Sequence, residues 1–392
     1  MSKLDNLLDE LCPNGVEFEK IKDVFTRLKG TPITAAKMKE IATADGNVRI
    51  FAGGKTVINA NEKDIPNANI IRVPAVLVQS RGVIDFVYYE EPFTFKNEMW
   101  AYTADEKIVV KFLYYVLKNN IQSFRDAASG MGSLPQISLP VTEEFKIPLP
   151  PLPVQSEIVK ILDNFTELTA ELTAELTAEL TARRKQYEYY RDKLLTANDT
   201  SRTTISLGDI GKVSMCKRIM KSETSSSGDV PFFKIGTFGK EPDAYITQEK
   251  FEEYRSTFSF PKKGDILISA AGTIGRTVIY DGEPAYYQDS NIVWLDNDES
   301  LVLNKYLYYY YQLQPWAVST GGTIARLYND NISKAQVSIP SLEDQAHIVT
   351  ILDRFDALCN DLTSGLPAEI AARQKQYEYY RDKLLTFKEL TA

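Results

Sequence analysis

The chain is written twice. RRKQYEYYRDKLLT at 183–196 recurs as RQKQYEYYRDKLLT at 373–386, with thirteen of fourteen positions identical at an offset of 190. The same offset aligns EIVKILDNFTEL (157–168) with HIVTILDRFDAL (347–358), and PLPVQ (151–155) with SLEDQ (341–345). Further upstream the copies diverge but keep a skeleton: AVLVQSRGVI (75–84) matches DILISAAGTI (265–274), and FLYYVL (112–117) loosely matches YLYYYY (306–311). Each repeat is therefore a variable globular part followed by a near-constant segment. A period this long, with one half held and the other free, points to a shared scaffold carrying two different readers.

The near-constant segments read as helices. Ile158, Ile161, Leu162, Phe165, Leu168 and Leu172 follow the three-four spacing of an apolar stripe. From about Val154 to Leu195 the first segment would run roughly 63 Å if unbroken. The second copy carries Ser364-Gly365-Leu366-Pro367, where proline removes a helix hydrogen bond and crowds the preceding turn, so a kink or break is expected. In the globular parts VPAVLVQS, KGDILISAAG and AQVSIP read as short β-branched strands, and KIVVKFLYYVLKN and NKYLYYYYQLQPW as helices. The fold class is α+β, with expected boundaries 1–153, 154–197, 198–341 and 342–392.

Inside the first helix, Leu168 to Leu180 reads LTAELTAELTAEL. Leu168, Leu172, Leu176 and Leu180 lie four apart, so each unit advances the stripe about 6 Å and turns it about 40° past a full circle. Strict fours twist a helix–helix seam away. Glu171, Glu175 and Glu179 stack like charges at i,i+4, which disfavours an isolated helix slightly and suggests a basic partner alongside. The number of units then encodes length: the run reads as a ruler.

Catalytic signals are mostly missing. There is no GxxxxGK[ST] loop, no GxSxG elbow and no Asn/Asp-Pro-Pro-aromatic methyltransferase motif. The single histidine, His347, reads as a solvent-facing helix residue. Cys12, Cys216 and Cys359 lie far apart without a CxxC pair, which argues against disulfides and zinc and fits a reducing cytoplasm. No run reaches the 18 apolar residues of a membrane span, and the acidic N-terminal stretch lacks the features of a signal peptide.

The net charge of −8 argues mildly against nucleic acid. Residues 1–150 nevertheless hold 18 basic and 19 acidic residues, and 198–340 hold 15 and 17, so either globular part can present one basic face. SAAGTIGR (269–276) fits a strand-ending turn, a phosphate cradle, or a loop on a nucleic-acid backbone with Arg276 at its edge. GGTIARLYND (321–330) has the same character through Arg326 and Tyr328. Other cationic candidates are Lys217, Arg218, Lys221 and Lys234 in the second half. In the first half they are Lys37, Lys39, Lys55, Arg72, Arg81 and Arg125. Each also fits a solvated surface charge. The aromatics of the repeated YEYYRDKLL read as packing and docking residues, chiefly Tyr187, Tyr190 and Arg191 with their counterparts Tyr377, Tyr380 and Arg381.

Two variable halves, each ending in IP(L/S), then Q-x-x-I-V-x-I-L-D-x-F and R-x-K-Q-Y-E-Y-Y-R-D-K-L-L, resemble the specificity subunit of type I restriction–modification enzymes. The TAEL run resembles the spacer of the branch in which such repeats vary in number. The resemblance implies two target recognition domains, each reading half of a split, asymmetric site on double-stranded DNA, held apart by two long antiparallel helices in a pseudo-two-fold coiled-coil scaffold. It implies two modification subunits carrying the S-adenosylmethionine chemistry, and restriction subunits that add ATP- and Mg-dependent translocation and cleavage, with no cofactor in this chain. The acidic helices would dock basic partner elements, and the chain alone would bind DNA weakly. Two other readings compete: a coiled-coil scaffold presenting two non-DNA ligand modules, and a stand-alone enzyme with an unrecognised site.

Overall fold

The computed structural model describes residues 2–128, 134–197, 201–319, 325–361 and 365–390. The chain forms two compact units. One comprises Met1–Glu175 with Ile370–Ala392, the other Leu176–Glu369.

The first unit has a four-stranded antiparallel sheet in the order Thr26–Leu28, Trp100–Thr103, Ala75–Gln79, Asp85–Tyr89. All of Ala75–Gln79 is buried, which explains its continuous apolar run, since a strand covered on both faces has no polar side to alternate with. A three-stranded sheet sets Val48–Phe51 between Val57–Ala60, antiparallel to it, and Phe93–Phe95, parallel to it. A two-stranded ribbon pairs Glu17–Lys20 with Lys146–Leu149.

The second unit repeats these sheets strand for strand. Its four-stranded sheet runs Lys212–Ser214, Ile292–Asp296, Ile266–Ser269, Thr277–Ile279. Its three-stranded sheet joins Tyr245–Ile246, Val230–Phe233 and Tyr286–Tyr287, again with one parallel pair. Thr203–Ser206 pairs with Gln336–Ile339. The duplication is thus one of fold and extends to halves whose sequences have drifted.

Helix Lys107–Asn119 covers the four-stranded sheet of the first unit, burying Val110, Phe112, Leu113, Tyr115, Val116 and Leu117. Its counterpart spans Asn304–Tyr311, five residues shorter than the stretch to Trp316 that the sequence suggests. Gln314 adopts a left-handed backbone (φ 53°) directly before Pro315, and neither residue continues a helix.

The scaffold begins as one helix, Leu152–Leu195. In the first unit Ile158, Val159 and Leu162 join Leu385 in the core under Lys107–Asn119; burying each such side chain stabilises the fold by about 1.5–3 kcal/mol. Within the first unit Phe165 meets Tyr380 and Thr166 meets Tyr377 beside one groove that Leu172 and Arg373 also line, so this helix and Leu366–Leu385 run antiparallel there. In the second unit Ile348, Val349 and Leu352 repeat that burial, and Tyr187 and Leu195 take the place of the C-terminal residues.

The apolar stripe weakens along the TAEL run. Leu168 is 52% exposed, and Leu172, Leu176 and Leu180 are only half-buried. A four-residue repeat outruns the helical period, so the leucines rotate off any fixed seam. The second scaffold segment is broken, as Gly365 and Pro367 foretell: Leu342–Asn360 stops and Leu366–Leu385 starts afresh. A Cβ on Gly365 would sit 2.6 Å from the Ala357 carbonyl oxygen and 2.8 Å from that of Asp361. Ser364 lies outside the described residues.

Candidate nucleic-acid interface

In the second unit the cleft grows from a turn between two buried strands. Tyr286–Tyr287 ends and Ile292–Asp296 begins across Gln288-Asp289-Ser290-Asn291. Gln288 donates its backbone N–H to the Phe233 carbonyl at 2.9 Å and Asn291 to that of Asp289 at 2.7 Å. Ser290 holds φ at +55°, a conformation that non-glycine residues adopt only where the surroundings enforce it. Arg326 supplies part of that enforcement by donating Nη2 to the Ser290 carbonyl at 2.8 Å. The Gln288 side chain accepts the N–H of Ile235 at 3.0 Å, tying the turn to the facing loop.

Above this floor lies a polar cleft of about 600 Å³, walled by Arg218, Lys221, Ser225, Lys234, Gln288, Asp289 and Arg326 among others. Arg218 Nε donates to Asp289 Oδ2 at 2.9 Å, with the arginine side chain 66% exposed and the aspartate 16%. Lys234 pairs with Asp243 at 2.8 Å. A second depression shares Arg326 and adds Tyr328, Asn331 and Lys334. Four of the predicted cations therefore converge on one cleft, with exposed Tyr328 beside it. Lys217 does not line it; its ammonium sits 5.1 Å over the Phe258 ring. Arg276 is committed to the Phe238 carbonyl at 2.9 Å. Residues 321–324 of GGTIARLYND lie outside the described residues.

The first unit keeps the same turn with other residues. Lys96 donates its N–H to the Phe51 carbonyl at 3.0 Å, as Gln288 does to Phe233, and its ammonium pairs with Glu98 at 2.8 Å. Gly54 donates to the Arg81 carbonyl at 3.2 Å, which brings Lys55 and Arg81 onto adjoining loops. Arg125 reaches the Ile84 carbonyl at 3.4 Å. Lys37, Lys39 and Arg72 are not brought to this turn. Lys37 pairs with Glu40 on helix Ala35–Ile41, which also carries Lys39, and Arg72 pairs with Glu62. Sequence reasoning passes over Lys96, Glu98, Gln288 and Asp289; the signal that finds them is a polar run between two buried strands at matching places in both copies.

The repeated motifs hold each globular part from two sides. Gln155 Nε2 donates to the Pro150 carbonyl at 2.8 Å and Gln345 to that of Pro340 at 3.0 Å, so the motif glutamine fixes where the strand gives way to the helix. Arg381 Nε donates to Asn119 Oδ1 at 3.0 Å at the end of helix Lys107–Asn119. Arg191 and Tyr187 reach Gln312 at 3.3 and 2.9 Å, past the end of Asn304–Tyr311. Each globular part is thus clasped by YEYYRDK from the other repeat. Tyr380 meets Phe165 edge-on at 6.0 Å, and Tyr190 stacks on Phe355 at 5.9 Å. Tyr377 shares a 3.0 Å hydrogen bond with Thr166.

No catalytic constellation accompanies these features. Among the described residues no three His, Cys, Asp or Glu side chains gather to hold a metal, and His347 is exposed. Burial pushes the Cys216 thiol up to about 12, which leaves it protonated and inert at neutral pH. No described helix is long and apolar enough to cross a membrane.

The model of the type I restriction modification DNA specificity domain matches residues 13–182 and again 202–372. A Haemophilus influenzae chain assigned as a type I restriction enzyme specificity subunit, S.HindORF215P, is 57% identical over 300 residues, covering 75% of this chain and 77% of that one. The Escherichia coli EcoR124I/EcoR124II specificity subunit is 34% identical over 302 residues, 72% of each. Among solved structures, a chain of a type I R-M system described for its complex assembly and conformational transition shares the fold with a TM-score of 0.63 at 17% identity, covering 95% of this chain and 98% of that one. The HsdS subunit from Thermoanaerobacter tengcongensis gives 0.51 at 15% identity over 96% of each. The chain belongs to the type I restriction–modification DNA specificity family, whose domain it carries twice.

Proposed function

We propose that this chain is the non-catalytic DNA-recognition subunit of a type I restriction–modification enzyme, working in the cytoplasm. Residues 1–153 and 198–341 are two target recognition domains, each reading one half of a bipartite asymmetric site on double-stranded DNA. Residues 154–197 and 342–392 set the spacing and dock two modification subunits. S-adenosylmethionine, ATP and Mg belong to the modification and restriction partners.

The observation that carries this reading is the cleft in the second unit. Arg218, Lys221, Lys234 and Arg326 converge there around a turn rich in hydrogen-bonding side chains, whereas the chain as a whole is acidic. Cations that converge against the average of the surface favour a polyanion, and amide and carboxylate groups between them favour base edges. Membership of the specificity family supports the same assignment.

The test is methylation by the assembled complex. Chain plus modification subunit, given labelled S-adenosylmethionine and a pool of random duplexes, is expected to methylate one bipartite site. The chain alone is expected to bind DNA weakly and transfer nothing. Methylation without sequence preference would overturn the proposal, as would tight specific binding by the lone chain at physiological salt for its division of labour.

A further inference from the structure

We propose that Arg218 is a guanine-reading residue of the second unit and that Asp289 is its positioning residue. This rests on the reading of the chain as a DNA-recognition subunit and goes beyond it by naming a residue and the base chemistry it selects.

Three observations carry it. First, the geometry of the pair leaves the right atoms outward. Asp289 takes the Nε–H of Arg218, which occupies the side edge of the guanidinium and leaves its end-on pair of terminal N–H groups for another acceptor. Those groups form the fork that matches the O6 and N7 acceptors of guanine in the major groove. Second, the support is rigid. Asp289 is largely buried on a turn held at Ser290 by Arg326 and at Gln288 by Phe233 and Ile235. A free arginine loses much side-chain freedom on binding; one already held by a fixed carboxylate loses less. Third, charge argues for a base and against a phosphate. A carboxylate 2.9 Å from the guanidinium cancels much of its field, which weakens attraction to a phosphate but not the directional hydrogen bonds to a base edge.

The first unit differs at this place. Counting four residues on from Leu28 and from Ser214, the last residues of corresponding strands, reaches Pro32 in the first unit and Arg218 in the second, and the ion pair on the turn is Lys96–Glu98. A lysine is a point donor without a fork. The two units are therefore built to select different bases, and Arg218 acts on one half-site only.

The test uses the complex of the full chain with its modification subunit on a random duplex library, with methylated products sequenced and binding measured against salt. Arg218→Lys keeps the charge and removes the fork. It is expected to relax preference for guanine at one position of one half-site by about ten- to a hundred-fold, with the other half-site and the salt dependence unchanged. Asp289→Asn keeps the shape and loosens the arginine, and is expected to relax the same position by less. Arg218→Lys and Arg218→Ala should both unfold at the wild-type temperature, because Arg218 is mostly exposed. An unchanged site in Arg218→Lys together with a shallower salt dependence in Arg218→Ala would make Arg218 a phosphate contact and overturn the proposal. A wild-type complex that selects no sequence overturns the underlying functional reading, and this proposal with it.

Discussion

Tyr115 donates its phenol to Asp163 Oδ1 at 2.6 Å, and Lys111 pairs with the other oxygen of that carboxylate at 2.8 Å. Tyr309 and Lys305 treat Asp353 identically in the second unit. The aspartate of the repeated ILD thus fastens the helix over each sheet to the scaffold. Replacing Asp163 by alanine strands the phenol of a buried tyrosine and a partly exposed ammonium, at a cost of about 1.5–3 kcal/mol. Chemical denaturation should show that loss in the first unit only. Adding Asp353→Ala should shift the second unit independently, since each network lies within its own unit.

Residues Lys388–Leu390 complete the first unit. Val16 donates to the Lys388 carbonyl at 2.9 Å, and Leu390 donates back to Val16 at 2.8 Å. Gly15 turns beneath with φ +111°, and a Cβ there would meet the Lys388 oxygen at 2.5 Å. Removing the residues from Lys388 onward should destabilise this unit by about 1–2 kcal/mol. Limited proteolysis should then cut first within residues 2–128, with 201–319 protected as before.

Alkaline pH should loosen both units. Burial, then the hydrogen bond to aspartate, raises the phenols of Tyr115 and Tyr309 above their usual value of 10.0. The unfolded chain releases these protons near pH 10 while the folded chain keeps them. Protonation then favours the folded state below that pH, and stability falls as pH climbs beyond it. A titration of phenolate absorbance should show these tyrosines ionising late, together with unfolding; ordinary reversible ionisation near pH 10 would contradict it.

Deleting Thr173–Leu176 removes one repeat from a continuous helix, shortening it by about 6 Å and rotating one end by about 40°. None of the four repeat leucines is buried, so stability should change little. On the proposed function, sequenced methylation sites should keep both half-sites and lose about one base pair between them, since a rotation of about 40° is close to the twist of one pair at about ten pairs per turn. A changed base within a half-site would contradict the ruler.

Much of this was legible in the sequence because it is local. The strands around Ala75–Gln79 and Ile266–Ser269, helix Lys107–Asn119 and the break at Gly365 follow from periodicity, β-branching and proline. The convergence of Arg218, Lys234 and Arg326 was not, because it depends on a parallel strand pairing and on a turn strained at Ser290, which no residue pattern announces. Nor does the pattern of YEYYRDK tell which globular part it clasps. Arg191 and Arg381 have the same neighbours in sequence, and only long-range packing assigns each to the other repeat's helix.

That exchange has a consequence in time. Arg381, Leu385 and Lys388 belong to the first unit, yet they follow residues 176–369, which build the second. At a synthesis rate of about 5–20 residues per second, the first unit waits roughly 10–40 s for its last contacts. During that interval its apolar groove beside Phe165 and Leu172 lacks Tyr377 and Tyr380 as cover. The second unit, whose residues are contiguous, is complete sooner. On the ribosome, the half of the molecule that is made first is the half that is finished last.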